Sequence, residues 1–268
     1  MCLIIFATQA HPRYPLIVAA NRDESYARPS ADAAFWDDHP DIYGGRDLTH
    51  GGTWLGLSRK GRFAALTNYR QGGPRAALER SRGELTRGFL TGVAAPADYM
   101  RGIEPDAASY NGFSLIVADA SDVWFYSNRD VAPQRVRSGV HGLSNHLLDE
   151  PWPKVKRGVA ELESLLDADE SELSMRLLQL LGDRAPAPDH LLPSTGIDRE
   201  RERALSSSFI EGDGYGTRAS TVVLVRNDGE TLFIERTYAA GGKVAGETRG
   251  RFSVDADFSR SPAAPARA

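Results

Sequence analysis

The chain opens with Met1-Cys2-Leu3-Ile4-Ile5-Phe6-Ala7-Thr8, an apolar run with a cysteine at position 2. The run is too short for the apolar region of a signal peptide and follows no basic residue, so we interpret Cys2 to Thr8 as a buried strand. Initiator methionine is usually removed when the next residue is small, which predicts a free α-amine on Cys2. An amine with a pKa of about 7.7 to 8.0 can accept the thiol proton and leave a thiolate nucleophile. The alternative is that Cys2 is only a small residue of the core.

Four polar residues, Asn21-Arg22-Asp23-Glu24, directly follow the apolar strand Leu16 to Ala20. Such an abrupt change predicts a loop at the edge of a sheet. If this strand lies antiparallel beside the first one, the loop is level with Cys2, so that Arg22 would hold the thiolate and Asp23 the ammonium group. A solvated turn with local ion pairs is the alternative.

More polar groups stand where predicted strands end, namely Thr67-Asn68-Tyr69-Arg70, Leu143-Ser144-Asn145-His146 and Gly216-Thr217-Arg218-Ala219-Ser220-Thr221. Side-chain amides are neutral donors suited to an oxyanion, so Asn68 and Asn145 are candidate oxyanion donors. Arg218 is a candidate for orienting the nucleophile or a carboxylate. Taken singly, however, each asparagine is typical of a turn.

The rest of the chain predicts strands at both ends and helices in the middle. Strand patterns with hairpin turns run from Thr53 to Ser127, around a helix predicted after Ser81, and again from Thr221 to Tyr238. Apolar residues from Val155 to Leu181 recur at helical spacing and predict two amphipathic helices. The proline-rich and charged stretch from 182 to 207 predicts a long surface loop. This order predicts an α+β fold of two packed antiparallel sheets with helices outside.

Composition excludes several classes of protein. The 268 residues are 41% hydrophobic and 25% charged, which predicts one globular domain over residues 1–258 with a flexible tail at 259–268. The net charge of −4 gives no general attraction to nucleic acid, and no apolar run reaches the roughly 18 residues of a membrane span. A single cysteine forms no internal disulfide, which predicts a reducing compartment, by default the cytoplasm. No pattern predicts an oligomeric state.

Ordered landmarks run from the N-terminus to Arg218, namely Met1-Cys2, Asn21-Arg22-Asp23-Glu24, Gly51-Gly52-Thr53-Trp54-Leu55-Gly56, Thr67-Asn68-Tyr69-Arg70 and Gly216-Thr217-Arg218. With these landmarks the chain resembles the NRDE family, which is the transport and Golgi organisation 2 family. That family in turn resembles the choloylglycine hydrolase and penicillin V acylase branch of the N-terminal-nucleophile (Ntn) hydrolases. The resemblance implies a four-layer αββα sandwich of two antiparallel sheets, with Cys2 at a sheet edge.

Carried over by position, the resemblance implies six active-site residues. They are Cys2 as the nucleophile, Arg22 and Asp23 as the residues that hold it, Asn68 and Asn145 in the oxyanion region, and Arg218 as a late active-site arginine. In those hydrolases the early arginine and aspartate are spaced three residues apart. Arg22 and Asp23 are adjacent and must face opposite sides of a strand, which puts one of the two assignments in question.

The resemblance implies hydrolysis of a nonpeptide amide bond in a small acylated molecule, without a cofactor. It also implies an alternative, namely non-catalytic binding and trafficking of haem, or of acyl-coenzyme A, on the same fold. The candidate iron ligands are Cys2, His11, His50, His141 and His146, although no histidine pair has a recognised haem spacing. A third alternative, a structural or interaction protein, leaves the polar residues at the strand ends unexplained.

Overall fold

The computed structural model describes residues 2–73, 80–129 and 132–256, and the tail predicted at 259–268 lies outside these residues. The described strands are β1 (Cys2–Thr8), β2 (Leu16–Ser25), β3 (Ser30–Phe35), β4 (Ile42–Asp47), β5 (Leu55–Ser58), β6 (Phe63–Asn68), β7 (Phe113–Ala118), β8 (Val123–Ser127), β9 (Gln134–Arg135), β10 (Gly139–Leu143), β11 (Tyr215–Val225), β12 (Glu230–Tyr238) and β13 (Val244–Ser253). The described α-helices are α1 (Gly83–Thr91), α2 (Pro96–Ile103), α3 (Pro153–Glu163), α4 (Glu170–Leu181) and α5 (Arg199–Ala204).

The described strands form two sheets whose neighbouring strands are all antiparallel. The first sheet has the order β10-β1-β2-β11-β12-β13, and the second has the order β3-β4-β5-β6-β7-β8-β9. Alternate residues of the longer strands, among them Phe6, Val18, Phe63 and Ile116, meet in a buried apolar layer between the sheets. Because β11 pairs with β2, residues 217–219 lie beside residues 22–23 although they are far apart in sequence.

Helices cover the outer faces of both sheets. α3 and α4 pack on the first sheet, where Leu162 and Leu177 meet Leu3 and Ile5 of β1. α1 and α2 pack on the second sheet, through a separate apolar cluster that includes Phe89. The predicted α+β fold, a four-layer αββα sandwich, is therefore confirmed. Over the described ranges, no helix has both the length and the apolar surface to cross a membrane.

The loop predicted at Asn21 to Glu24 is wrong, because β2 continues as a strand to Ser25. The first three of these polar residues are at most 5% exposed. They remain inside the sheet because distant groups satisfy them: the amide of Asn21, for example, donates to the carbonyls of Leu181 and Ser208, both at 2.8 Å. Local sequence carries no sign of partners so remote.

Other differences concern short or polar elements. The loop predicted from 182 to 207 contains α5, whose N-cap Asp198 accepts a hydrogen bond from the main-chain amide of Arg201 at 2.8 Å. β3 and β13, which the sequence did not predict, lie at the edges of the two sheets. Both have mostly exposed or half-buried residues, so their apolar alternation is weak.

Gly158 lets α3 lie unusually close to β1. A Cβ atom placed on Gly158 would come within 2.5 Å of two side-chain carbons of Ile5. Contacts this short require the helix, the strand or the buried Ile5 side chain to move. The glycine is therefore needed for the packing of this helix on the first sheet.

We predict that Gly158→Ala lowers the free energy of unfolding by about 1 to 3 kcal/mol, because overpacking outweighs the better helix propensity of alanine. Urea unfolding measures this. The matched control is Gly102→Ala in α2, where nothing lies within 4 Å of the new Cβ. That change is expected to gain about 0.5 to 1 kcal/mol. Wild-type stability of Gly158→Ala would contradict the close approach.

Glu235 links the two sheets from inside the molecule. It lies in β12, is 1% exposed, and accepts hydrogen bonds from the main-chain amide of Ala33 in β3 at 2.7 Å and from Oγ1 of Thr221 in β11 at 3.3 Å. Burial raises the pKa of this carboxyl group to about 7. The folded chain therefore keeps a proton that the unfolded chain releases near pH 4.5.

We predict that stability falls as the pH rises from about 4.5 to about 7, because unfolded Glu235 ionises before the folded group does. Glu235→Gln keeps an acceptor for Ala33 and is expected to remove this fall, on the order of 2 to 3 kcal/mol. Urea unfolding of both proteins at about pH 5 and about pH 8 tests this. The same pH dependence in both proteins would exclude Glu235 as its source.

Candidate active site

Cys2 lies at the first position of β1, paired with Arg22 of β2. Cys2 is 9% exposed, and strand alternation places its side chain between the two sheets, as for Ile4. The peptide nitrogen of Cys2 donates to Oδ1 of Asn145 at 3.2 Å, and its carbonyl accepts from Oγ of Ser144 at 3.2 Å. The segment after β10 therefore fixes the main chain on both sides of the Cys2 side chain.

The surroundings of the Cys2 sulfur act on its ionisation in opposite directions. Burial raises the pKa of the thiol above its ordinary value, and the negative charge of the Asp23 carboxylate adds to this rise. The main-chain amide of Asp23, as a hydrogen-bond donor to sulfur, and the positive charge of Arg22 lower the pKa. Burial is the largest effect, so the thiol is protonated at neutral pH and needs a base.

Arg22 lies on the same face of the first sheet as Cys2. Its guanidinium carbon stands 4.0 Å from the centre of the Trp54 ring, and Nη1 donates to Oγ of Ser30 at 3.2 Å. Within the described ranges no carboxylate pairs with it, so its positive charge is available to the thiolate. Trp54 belongs to the Gly-Gly-Thr-Trp landmark. In this landmark Gly52 packs on the main chain of α1, where a Cβ atom on Gly52 would lie 2.5 Å from the carbonyl group of Gly83.

Asp23 faces the other side of β2. Its carboxylate is buried, and Oδ1 accepts a hydrogen bond from Oγ1 of Thr217 in β11 at 2.7 Å. The same Thr217 oxygen accepts from the main-chain amide of Ile210 at 2.9 Å. Burial raises the pKa of Asp23, and the positive charge of Lys154 and the Thr217 hydrogen bond oppose that rise. Asp23 thus acts on sulfur with its main chain and on the opposite layer with its side chain.

Asn145 joins the two sheets around Cys2. Its side chain is buried, and its Nδ2 donates to the carbonyl of Asn68 at the end of β6 at 2.9 Å. Its own carbonyl accepts from the main-chain amide of Arg70 at 2.6 Å. Asn145 adopts a left-handed backbone with φ of 53°. Asn68 enters this network with its main chain, because strand alternation turns its side chain to the face of Leu66.

Comparison with known proteins supports the resemblance found in the sequence. The model of the family Transport and Golgi organisation 2 matches residues 1–240. The chain belongs to this family. The bovine (Bos taurus) transport and Golgi organization protein 2 homolog is 38% identical over 271 residues, which cover 92% of this chain and 97% of the relative. The human (Homo sapiens) homolog is 37% identical over 260 residues, covering 88% and 93%. A solved structure of a mutant conjugated bile acid hydrolase from Clostridium perfringens is 8% identical, covers 94% of this chain and 92% of its own, and has a TM-score of 0.49.

In this member of the transport and Golgi organisation 2 family, Arg218 acts on the loop after β2. It occupies a β-bulge in β11, and its Nη1 donates to the carbonyls of Ser25, Tyr26 and Arg28 at 2.9 to 3.2 Å. This loop leads to Ser30, which contacts Arg22. Of the six residues assigned from the family, Arg218 therefore reaches Cys2 only indirectly.

Histidines of this family member were candidate ligands for haem iron. Three of the four have both ring nitrogens in contact with other groups. His11 contacts Arg13, Tyr14 and Ala168, His141 contacts Arg137 and Asp149, and His146 contacts Tyr69 and Glu150. In this arrangement these three do not fit as axial ligands. Haem or acyl-coenzyme A binding stays a prediction from the resemblance.

Three charged residues beside the site were not assigned from the sequence: Arg70, Lys154 and Glu202. Arg70 and Glu202 form a buried ion pair at 2.7 Å. Lys154 shares the inward face of α3 with Gly158 and Leu162 at four-residue spacing, a pattern that marks its position as buried. No comparable signal distinguishes Glu202 among the charged residues of α5.

We predict that Asn145→Gly lowers the free energy of unfolding by about 1 to 3 kcal/mol, because it leaves the amide of Cys2 and the carbonyl of Asn68 unpaired in a buried place. Asn145→Ala is expected to cost about 1 kcal/mol more, since alanine is strained in a left-handed backbone. Urea unfolding measures both. Gln9→Gly, at an exposed residue with φ of 49°, is the control and is expected to lose no stability. Wild-type stability of either Asn145 variant would contradict the network.

Proposed function

We propose that this chain is an N-terminal-cysteine amidohydrolase that cleaves the nonpeptide amide bond of a small acylated molecule. The observation that supports it best is the hydrogen bond from the Cys2 nitrogen to Oδ1 of Asn145, at 3.2 Å. Removal of Met1 turns this nitrogen into an α-amine, already held next to the thiol. The base that the buried thiol needs is then part of the same residue.

In the proposed reaction, the α-amine takes the proton of the Cys2 thiol, and sulfur attacks the carbonyl carbon of the substrate amide. The resulting oxyanion accepts a hydrogen bond from the second N–H of the Asn145 amide, since the first is donated to Asn68. The C–N bond breaks as the ammonium group gives its proton to the leaving nitrogen. Water then cleaves the thioester, and the products are a carboxylic acid and an amine.

Arg22 has an electrostatic role in this proposal. It carries a positive charge on the face of the thiol and is held by Trp54 and Ser30. A positive charge at this place favours the thiolate over the thiol in the step before attack. Asp23 supports the same step with its main-chain amide.

The test uses the fact that Cys2 is the single cysteine, so that a thiol probe reports on it alone. Intact mass is expected to show loss of Met1, and a series of N-acyl 4-nitroanilides of increasing chain length is expected to acylate Cys2 and release nitroaniline. Cys2→Ala is expected to lose at least about a hundredfold of this activity. Failure of every acyl probe to label Cys2, or full activity of Cys2→Ala, would overturn the proposal.

A matched variant separates the amine from the thiol. An alanine inserted between Met1 and Cys2 keeps the thiol and the strand but places the free amine on another residue. We expect this variant to react with iodoacetamide and to have lost hydrolysis. Hydrolysis at the wild-type rate would show that the α-amine is not the base.

A further inference from the structure

Lys154 is a buried cation close to the Cys2 site. It lies in the first turn of α3, is 1% exposed, and donates to the carbonyls of Leu205 at 3.0 Å and Ser207 at 3.4 Å. Among residues 2–73, 80–129 and 132–256 no carboxylate forms an ion pair with it. Taking an ammonium group out of water without such a partner costs several kcal/mol. Hydrogen bonds to neutral carbonyls compensate only part of this cost, so a further electrostatic interaction with a negative group is needed to stabilise the charge.

The remaining charges around Lys154 belong to the nucleophilic site. Burial lowers the pKa of Lys154 to about 8, and the negative forms of Asp23 and Cys2 oppose that lowering. An ammonium group with this pKa is mostly charged at neutral pH. It therefore stabilises the thiolate below about pH 8 and loses this effect above it.

Two arginines also face Lys154, and both are neutralised by carboxylates. Arg70 pairs with Glu202 at 2.7 Å, and Arg157 pairs with Asp183 at 2.7 Å. Their positive charges lower the pKa of Lys154, but each ion pair is close to neutral as a unit. The negative groups that act on Lys154 are Asp23 and Cys2.

Hydrogen bonds at both ends of the segment 205–210 link Lys154 to Asp23 along the main chain. Lys154 holds two carbonyls of this segment, and the amide of Asn21 in β2 holds the carbonyl of Ser208 at 2.8 Å. At its end, the amide of Ile210 donates to Thr217, which donates to Asp23. Lys154 thus affects both the ionisation and the position of Asp23.

We propose that Lys154 is a positioning residue of the nucleophilic site, which stabilises the thiolate of Cys2 by its charge and supports Asp23 through the segment 205–210. The inference rests on the proposed function, because it concerns the same nucleophile. It concerns the ionisation of Cys2, however, which is measured without any hydrolysis.

The first test is the pH dependence of Cys2 alkylation by iodoacetamide, followed by intact mass in the full chain. Lys154→Met keeps the size of the side chain and removes its charge. Because Lys154 is charged only below about pH 8 and the thiol ionises at higher pH, we expect the alkylation rate near pH 7 to fall about tenfold and the rate above about pH 9 to stay at the wild-type value. Lys156→Met, at an exposed lysine two positions along α3, is the control and should keep the wild-type rate at both pH values. A merely loosened structure changes access to sulfur and therefore changes the rate at both pH values.

A second measurement applies even if Lys154→Met does not fold. The chain has four lysines, Lys60, Lys154, Lys156 and Lys243, so the ε-carbon signals of all lysines can be followed by NMR during a pH titration. We expect one lysine to titrate near 8 in the wild-type protein and at lower pH in Asp23→Asn, because the negative charge of Asp23 opposes the lowering of the Lys154 pKa.

The outcomes separate this inference from the proposed function. An unchanged alkylation rate near pH 7 in Lys154→Met, or a lysine titration that does not respond to Asp23→Asn, overturns the role of Lys154 and leaves hydrolysis unaffected as a proposal. A lowered rate near pH 7 in a protein that no acyl probe labels supports the role of Lys154 and overturns the amidohydrolase.

Discussion

The hydrogen bonds of Asn145 are the contacts on which the geometry around Cys2 depends. One side chain binds the nitrogen of Cys2 at the start of the first sheet and the carbonyl of Asn68 at the end of β6 in the second sheet. Both groups stand at strand ends; the amide of Cys2 is buried and Asn68 is half-buried. Asn145 adopts a left-handed backbone conformation, in which its side-chain amide contacts both sheets. The position of the nucleophile is therefore defined by polar contacts rather than by the apolar layer between the sheets.

Burial has the same effect on three ionisable groups of the site. It raises the pKa of Cys2 and of Asp23 and lowers the pKa of Lys154, so each group is moved toward its neutral form. Lys154 and Asp23 oppose each other's shift, and the negative form of Cys2 also opposes the shift of Lys154, whereas Asp23 adds to the rise of the Cys2 pKa. The charge on Lys154 therefore depends on the negative groups beside it. The proposed role of Lys154 uses this property.

The sequence predicted two packed antiparallel sheets with helices outside, because the order of strand and helix patterns follows from local periodicity. The pairing of β1 with β2, which the sequence analysis set only as a condition, is present in the structure. It did not predict that Asn21, Arg22 and Asp23 lie inside a strand, since the side-chain partners of Asn21 and Asp23 are contributed by residues more than 150 positions away. It also left Lys154 and Glu202 unassigned, as burial of a charged residue depends on what the rest of the chain places around it. The Gly-Gly-Thr-Trp landmark was recognised in the sequence. Its effect could not be predicted, because the Trp54 ring lies against Arg22 where α1 approaches the main chain of Gly52.

Adjacent placement of Arg22 and Asp23 becomes intelligible from the geometry of β2. Side chains alternate along a strand, so the guanidinium of Arg22 lies on the thiol side and the carboxylate of Asp23 on the side of α3. The main-chain amide of Asp23, however, lies in the plane of the sheet and acts on the Cys2 sulfur. Two neighbouring residues thus act on one nucleophile from two layers, Arg22 by its side chain and Asp23 by its main chain. The Asp23 carboxylate lies in the layer that contains Lys154, and it links the nucleophile to a helix on the far side of the sheet.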